Sequence, residues 1–305
     1  MYPLIRPLLF TLSPEKAHQL TLATLATLHR LRLTRLLKPT PQLPRTVMGL
    51  PFPNPVGLAA GMDKNAEYLS SLATLGFGFI EVGTVTPRPQ SGNPKPRLFR
   101  LPKAQALINR MGFNNIGLDN FIHHLRARQF QGILGVNLGK NADTSLDQAA
   151  SDYLIGLHRV YPFADYVTIN ISSPNTPQLR QLQYGYELER LLDALKQAQY
   201  HLSQTHHKYV PLVIKIAPEF TTEALALFAA TLLNYQIDGV IATNTTLSRP
   251  GLESTRYADE AGGLSGAPLA ALSTQVVQQL STLLQGQIPI IASGGVMSAQ
   301  DAQQK

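Results

Sequence analysis

The sequence predicts an α/β protein, a (β/α)8 TIM barrel preceded by an N-terminal helical extension. Seven continuous apolar runs have the character of strands, and segments with helical periodicity separate them. Continuous rather than alternating apolar strands are typical of a parallel sheet covered by helices. No G-x-G-x-x-G motif follows the first run, which favours a barrel over a doubly wound sheet. The strand runs are Pro55–Gly61, Phe79–Val85, Ile133–Gly139, Tyr166–Ser172, Pro211–Ala217, Gly239–Thr245 and Pro289–Gly295, and the helical segments include Ala66–Leu75, Tyr186–Leu202, Thr222–Leu233 and Leu269–Leu284.

The number of strands sets an expectation for the end of the barrel. Seven strands are one short of the usual eight, and the sequence ends at Lys305 just after a helix start near Ser298. We therefore expect the C-terminal βα unit to be missing. The predicted domains are a helical segment, 1–42, and a barrel, 43–305, truncated before its eighth strand.

The N-terminal segment carries most of the positive charge. Residues 1–45 hold seven Lys and Arg against one acid, a net charge of +6, which leaves +1 of the total +7 for the other 260 residues. Ser13-Pro14-Glu15 is a good helix start, and the uncharged stretch Ala17–His29 is too short to span a bilayer, which takes about 20 apolar residues. The basic flank Leu31–Lys38 predicts peripheral binding to an anionic membrane. A helical cap packed on the barrel is the alternative.

Several classes of chemistry are excluded by composition. The chain has no cysteine, so disulfides, thiolate metal sites and cysteine nucleophiles or bases are excluded. No cluster of histidine and carboxylate has metal-ligand spacing, and no histidine falls in a strand-end motif, so neither a metal site nor a Ser-His triad is predicted. Nucleic acid is not expected as a partner, because the surface beyond the N-terminal segment is near neutral.

Polar residues follow the predicted strands, where a barrel places its active site. The run Asn170–Thr176 supplies two amides and three hydroxyls, and its Ser173 is the one candidate for proton transfer. Lys215 lies within an apolar strand, where an unpaired ammonium is costly, so a functional role is favoured. Lys64 follows Asp63, and a plain ion pair between them is the alternative to a binding role.

Three further stretches complete the candidate site. Gly294-Gly295 before Ser298, together with the glycine-rich loop Gly262–Gly266, predicts a cradle for a phosphate group. The run Asn109–Asn115 surrounds an aromatic residue with amides, which suits a planar heterocycle. Ordinary turn chemistry is the alternative for each glycine stretch taken alone, and also for Asn170–Thr176.

These motifs resemble the membrane-associated, quinone-dependent (class 2) dihydroorotate dehydrogenases. The resemblance extends from the N-terminal helices to the end of the chain. The matching stretches are Gly57–Lys64, Glu81–Gln90, Ile108–Asn115, Val136–Lys140, Asn170–Thr176, Val213–Pro218, Ile237–Thr246 and Gly262–Gly266.

The resemblance implies a set of roles for individual residues. It implies that Ser173 takes the C5 proton of (S)-dihydroorotate while a hydride passes from C6 to the flavin, with Thr176 and Phe113 shaping a proton relay. The buried strand position of Lys215 suits either stabilisation of negative charge on a reduced ring or formation of a Schiff base. The residues implied to hold FMN are Ala60, Gly61, Thr84, Asn137, Asn170, Lys215, Thr243, Gly266 and Gly295. Those implied to hold the substrate are Lys64, Asn109, Arg110, Met111, Gly112, Phe113, Asn170, Asn175, Asn244 and Thr245.

The resemblance also implies partners and a location. The product would be orotate, in de novo pyrimidine biosynthesis, and ubiquinone or menaquinone would take the electrons on the cytoplasmic face of a bacterial membrane. The absent cysteine and the N-terminal extension support this class over the cytosolic class 1 enzymes, and the cysteine-dependent dihydropyrimidine and dihydrouridine oxidoreductases are disfavoured. Two alternatives remain, a phosphate-binding barrel enzyme with Lys215 as Schiff base and an inert membrane-binding module.

Overall fold

The computed structural model describes residues 2–38, 40–252, 255 and 257–305. Twelve strands and nine helices, with short 3-10 turns between some of them, make up this part of the chain. In chain order they are α1 (Tyr2–Thr11), α2 (Pro14–Arg30), β1 (Arg45–Val47), β2 (Leu50–Phe52), β3 (Gly57–Leu58), α3 (Leu69–Ala73), β4 (Phe79–Val85), β5 (Leu98–Leu101), β6 (Ala106–Asn109), α4 (Gly117–Ala127), β7 (Ile133–Leu138), α5 (Ala149–Val160), β8 (Tyr166–Asn170), α6 (Gly185–His206), β9 (Leu212–Ile216), α7 (Thr222–Asn234), β10 (Gly239–Ala242), β11 (Gly263–Gly266), α8 (Ala270–Leu284), β12 (Ile290–Ala292) and α9 (Ala299–Gln304).

The main sheet contains the seven strands that the apolar runs predict. Its order is β12-β10-β9-β8-β7-β4-β3, and every neighbouring pair is parallel. Each strand therefore lies beside the previous strand of the same sheet, as successive βα units of a barrel require. The seven predicted strands are confirmed, each inside its predicted run.

The sheet curls so that its two ends approach each other. In a flat sheet, β3 and β10 would lie five strand spacings apart, about 24 Å. Residues that follow these two strands, Gly61 and Asn244, nevertheless line the same cavity. The carboxyl ends of the strands therefore surround one site.

The opposite end of the curled sheet is closed by a hairpin. β1 and β2 pair antiparallel, and Met48 and Leu50 from this hairpin pack against the strand residues Tyr166, Val213 and Ile241. This apolar plug leaves the carboxyl ends as the polar end of the barrel interior.

A second sheet corrects one expectation. β11, β6 and β5 form an antiparallel sheet, so most of the stretch Gly262–Gly266 is a strand rather than the predicted loop. Gly263 pairs with Asn109 and Gly266 with Ala106. The partner strand is about 150 residues away in sequence, so local glycine content could not reveal the pairing.

The N-terminal helices pack on the barrel through a mostly buried ion pair. α2 begins after Ser13, as predicted, and its Glu15 accepts hydrogen bonds from Arg97 Nε (3.0 Å) and Nη2 (3.1 Å). α1 lies within the predicted helical segment, 1–42, and contains Pro7. None of the helices described is long and apolar enough to cross a bilayer.

Asp238, just before β10, joins three elements at the closed end of the barrel. Its carboxylate accepts hydrogen bonds from Leu212 N (2.8 Å), Gln199 Nε2 (2.9 Å) and Tyr209 OH (2.6 Å). Asp238→Ala leaves these donors without their partner. We expect the free energy of unfolding, measured by urea denaturation, to fall by about 1–3 kcal/mol.

Asp119→Ala is the matched control for that measurement. The Asp119 side chain is 89% exposed and pairs with Arg159 at the surface. Its loss should change the free energy of unfolding by less than about 0.5 kcal/mol. Equal effects of the two substitutions would contradict the structural role of Asp238.

Candidate active site

A cavity of about 590 Å³ lies at the carboxyl ends of the main-sheet strands. Its size falls in the range of roughly 300–1,000 Å³ that is usual for small-molecule and cofactor sites. Fourteen of the twenty predicted site residues line it. These are Ala60, Gly61, Lys64, Thr84, Asn109, Met111, Gly112, Phe113, Asn170, Ser173, Asn175, Lys215, Asn244 and Thr245.

The other six predicted residues lie outside the cavity lining. Asn137 is buried below it, and Thr243 is buried with its hydroxyl donating to the Asn244 carbonyl at 2.9 Å. The Arg110 guanidinium pairs with Glu260 and stacks over Phe99 at 4.7 Å. Thr176, Gly266 and Gly295 complete this group and are described below.

Ser173 lies in a loop held by neighbouring amides. The loop follows β8, and the Ser173 hydroxyl accepts a hydrogen bond from Asn175 N at 3.2 Å. Asn175 Nδ2 in turn donates to the Asn109 carbonyl at 3.2 Å, which ties this loop to the end of β6. Thr176 Oγ1 is buried and has no hydrogen-bond partner among the described residues.

Lys215 brings a positive charge to the cavity without a protein partner. The residue is only 7% exposed, between the fully buried Ile214 and Ile216 on β9. Within the described ranges, no acceptor lies within hydrogen-bonding or ion-pairing distance of its ammonium. A buried cation is costly without a partner, so this position suits an anionic or electron-rich ligand.

Lys64 is a second cation at the cavity wall. Its ammonium donates to Asn114 Oδ1 at 2.8 Å, and burial, followed by the charge of Arg97, lowers the pKa of Lys64 to about 8. The alternative of an ion pair with Asp63 is wrong. The Asp63 carboxylate instead accepts hydrogen bonds from the backbone N–H groups of Glu67 (3.0 Å) and Tyr68 (2.7 Å).

The two glycine stretches converge at the start of α8. Gly266 (φ +97°) ends β11 shortly before the helix, and a Cβ added to Gly295 (φ +72°) would lie 2.4 Å from Ala270 Cα. Both the backbone angle and this close approach require glycine at position 295. Glycine backbone beside a helix N-terminus can bind a phosphate, so the predicted cradle stays a prediction with this geometry in its favour.

The sequence did not predict the ion pair that joins two loops of the site. Arg180 donates to the Ser172 carbonyl (3.1 Å), to the Thr245 carbonyl (3.1 Å) and to Glu219 (2.8 Å). Glu219 also accepts a hydrogen bond from the Thr246 hydroxyl at 2.6 Å. The loop that carries Ser173 and the loop after β10 are thereby held together. Neither charge lies in a strand run, so periodicity gave no signal.

α2 forms one wall of the cavity. None of the site residues predicted from the sequence lies on this helix. Glu15, His18, Gln19 and Leu22 of this helix line the cavity. Burial, and then the charge of Lys64, lower the pKa of His18, which keeps this imidazole neutral at neutral pH. The N-terminal extension therefore contributes to the site itself.

Glu81 is the third feature of the site that was not predicted, although the sequence does contain a signal for it. It lies in the apolar run Phe79–Val85 and is only 3% exposed, a setting like that of Lys215. Its carboxylate accepts a hydrogen bond from Asn137 Nδ2 at 2.8 Å below the cavity. In the described parts of the chain, no three or more His, Cys, Asp or Glu side chains are grouped as metal ligands would be.

Comparisons with known proteins agree on one family. The sequence model described as dihydroorotate dehydrogenase matches residues 42–305. A dihydroorotate dehydrogenase (quinone) of Nitrosospira multiformis is 56% identical over 305 residues, which cover 100% of this chain and 87% of the relative. The enzyme with the same name from Nitrosomonas eutropha is 59% identical over 306 residues, covering 100% and 89%.

A solved structure extends this agreement to the fold. The ligand-free DHODH of Eimeria tenella superposes with a TM-score of 0.86 at 41% identity, covering 95% of this chain and 85% of that chain. The complex of the same organism's DHODH with ferulenol has a TM-score of 0.85, also at 41% identity, covering 95% and 82%. The predicted barrel-type fold is confirmed.

The lowered pKa of Lys64 predicts a pH-dependent cost to stability. Between pH 8 and about 10.4 the unfolded chain holds a proton on this lysine that the native protein has lost, so stability rises with pH. Below pH 8 both states are protonated and the cost of burying the charge is fully present. Relative to Lys64→Met, the free energy of unfolding should rise by on the order of 1–2 kcal/mol from pH 7 to pH 9.5.

Urea denaturation of both proteins at the two pH values measures this difference. The comparison removes contributions from other titrating groups, and the pH-independent loss of the Asn114 hydrogen bond cancels. A gap between parent and variant that stays constant over this range would contradict the burial of a charged Lys64.

Proposed function

Because the chain belongs to the dihydroorotate dehydrogenase family, we propose that it oxidises (S)-dihydroorotate to orotate and passes the two electrons to a quinone. This is a step of pyrimidine biosynthesis. The family and the enzyme class predicted from the sequence are both confirmed. The observation that carries the proposal is the convergence of Ser173, two lysines and several asparagines in one cavity.

The family implies a flavin cofactor, and we propose that it is FMN. Lys215 provides the unpaired cation that an electron-rich ring would accept, and the glycines at the start of α8 suit its phosphate. When bound, the flavin supplies the acceptor for the hydride that leaves the substrate. Thr84 and Asn170 line the cavity and Asn137 lies below them, so these residues would support the ring.

The remaining cavity residues suit the substrate. Dihydroorotate has a carboxylate and a planar array of donors and acceptors, and asparagine amides offer both in matching positions. Lys64 supplies a positive charge, and Asn109, Asn175 and Asn244 supply amides. Arg110 would contribute only backbone, since its side chain pairs with Glu260.

Ser173 is the proposed base. It would take a proton from C5 while C6 loses a hydride, so that the C5–C6 double bond of orotate forms. An unaided serine is a weak base, and a relay to solvent would assist it. The Thr176 hydroxyl is buried and unpartnered within the described chain, which leaves it free to take part in such a relay. Phe113, in the cavity wall with φ +51°, would shield it.

We propose that the quinone enters along the α2 wall. His18 and Leu22 face the cavity there, and Arg97 and Glu15 hold the helix in place. Segment 1–42 would then be the quinone-tunnel and membrane segment, attached peripherally to the cytoplasmic face of a bacterial membrane. Either ubiquinone or menaquinone is compatible with this arrangement.

Exposed apolar side chains support the membrane part of the proposal. Ten of the large apolar side chains that are exposed in the described chain lie between residues 5 and 43, including Leu31 and Leu36. The same segment carries most of the net positive charge. Apolar surface with adjacent cations is typical of interfacial helices. Neither alternative, an inert membrane-binding module or an enzyme that uses Lys215 as a Schiff base, explains why the chain matches the dihydroorotate dehydrogenase family.

Anaerobic addition of dihydroorotate to the purified protein tests the function. We expect the visible flavin absorbance to bleach and to recover when a quinone analogue is added. In Ser173→Ala, bleaching should slow by roughly 100-fold or more, because a general base contributes at least about that factor. Ser151→Ala, at an exposed position on α5, is the matched control and should bleach at the parent rate.

Three other outcomes would each be informative. A flavin that dihydroorotate leaves unbleached would reject the substrate. A protein that binds no flavin when reconstituted with FMN would reject the cofactor. Bleaching of Ser173→Ala at the parent rate would reject Ser173 as the base while keeping the reaction.

Sedimentation with lipid vesicles tests the membrane surface. Leu36 is 82% exposed in the N-terminal segment, whereas Leu227 is 72% exposed on α7 of the barrel. Leu36→Asp should weaken binding to phosphatidylglycerol vesicles by roughly tenfold or more, because an inserted leucine contributes about 1.5–3 kcal/mol. Leu227→Asp should bind like the parent, and equal losses would contradict the assigned surface.

A further inference from the structure

A carboxylate is buried at the centre of the barrel without a cation beside it. Glu81 Oε1 accepts a hydrogen bond from Asn137 Nδ2 (2.8 Å), and Oε2 accepts from Tyr166 OH (3.1 Å) and Thr168 Oγ1 (2.9 Å). No lysine, arginine or histidine of the described residues forms an ion pair with it. Neutral donors from β7 and β8 alone offset the cost of its burial.

The hydrogen bonds around Glu81 have a fixed direction. All three neighbours donate to the carboxylate oxygens of Glu81 in the structure, and a carboxylate oxygen without a proton can only accept. Burial and the nearby Glu81 raise the pKa of Tyr166, and its phenol therefore keeps its proton. Asn137 has to turn its Nδ2 towards Glu81, because its oxygen would otherwise face a carboxylate oxygen.

The donor and acceptor orientation of each amide fixes that of the next one, up to the cavity. With Nδ2 turned to Glu81, Asn137 Oδ1 faces upward and accepts from the Thr84 hydroxyl and from Asn170 Nδ2 (3.1 Å). Asn170 Oδ1 then faces the opposite way and accepts from Ser172 Oγ (3.1 Å) and Asn244 Nδ2 (3.4 Å). Each amide nitrogen points back along the chain that begins at the carboxylate.

We propose that Glu81 is a positioning residue whose carboxylate determines which end of Asn137, Asn170 and Asn244 donates and which accepts at the floor of the cavity. Asn170 and Asn244 line the cavity, so the proposal rests on the function proposed above. An amide turned by 180° exchanges a donor for an acceptor. A planar ligand that matches one orientation meets unpaired groups in the other, and such mismatches strongly reduce binding.

Glu81→Gln tests the proposal with little change in size. A glutamine presents one oxygen and one NH2 group, so Asn137 can face it in either orientation. We expect the dissociation constant for orotate, measured from the shift in the flavin spectrum, to rise by about tenfold or more, because a mismatched amide leaves buried polar groups unpaired. A dissociation constant within about twofold of the parent value would overturn the proposal.

Tyr166→Phe and Thr168→Val are the matched controls. Each removes one hydrogen bond to the same carboxylate and leaves the acceptor that faces Asn137. Their orotate affinities should stay within about threefold of the parent, and Glu81→Asp, which keeps an acceptor-only group, should bind orotate more tightly than Glu81→Gln. Losses in Tyr166→Phe as large as those in Glu81→Gln would show that buried hydrogen bonding in general, rather than amide direction, is responsible.

A second measurement needs no ligand. Asn137 is fully buried, so in 15N-asparagine-labelled protein its side-chain NH2 should give one slowly exchanging pair of signals, assigned by its loss in Asn137→Ala. Glu81→Gln should give two sets or fast exchange. An unchanged single set would overturn the proposal. If the parent protein fails to bind orotate, the proposed function is rejected, and these spectra still decide the role of Glu81.

Discussion

The buried carboxylate of Glu81 is the contact from which the polar end of the barrel is organised. Parallel strands covered by helices normally have apolar interiors, yet this interior must carry several amides. A single acceptor that binds donors from β7 and β8 makes this possible, because Asn137, Tyr166 and Thr168 all direct their donors at it. The amides nearer the cavity then have hydrogen-bond partners on the side of Glu81 as well as beside them.

The barrel interior is consequently divided into two layers. The hairpin residues Met48 and Leu50 fill the closed end with apolar side chains, while Glu81 and Asn137 start the polar layer towards the cavity. The loops after the strands extend that polar layer, and the ion pair between Arg180 and Glu219 holds two of these loops together. The site is thus supported by strands from beneath and by an ion pair from the side, as a precisely shaped binding site requires.

The sequence was informative where the signal was local and repeated. Continuous apolar runs located all seven strands of the main sheet, and strand-end residues such as Ser173 and Lys215 proved to share one cavity. It failed where a partner lies far along the chain: the stretch Gly262–Gly266 looked like a loop because β6, its pairing partner, is remote. Glu81 carried the same signal as Lys215, a charge inside an apolar strand, and could have been found by it.

α2 gives the cavity a wall that does not belong to the barrel. The wall is attached through Glu15 and Arg97, and His18 and Leu22 face inward from it. The cavity therefore lies between two surfaces, the carboxyl ends of the strands and helix α2, and the sheet fixes the position of only the first. A compound bound against α2 would contact side chains that barrel enzymes without this extension do not possess. Selective inhibitors could thus be directed at the α2 wall rather than at the strand ends that related barrels share.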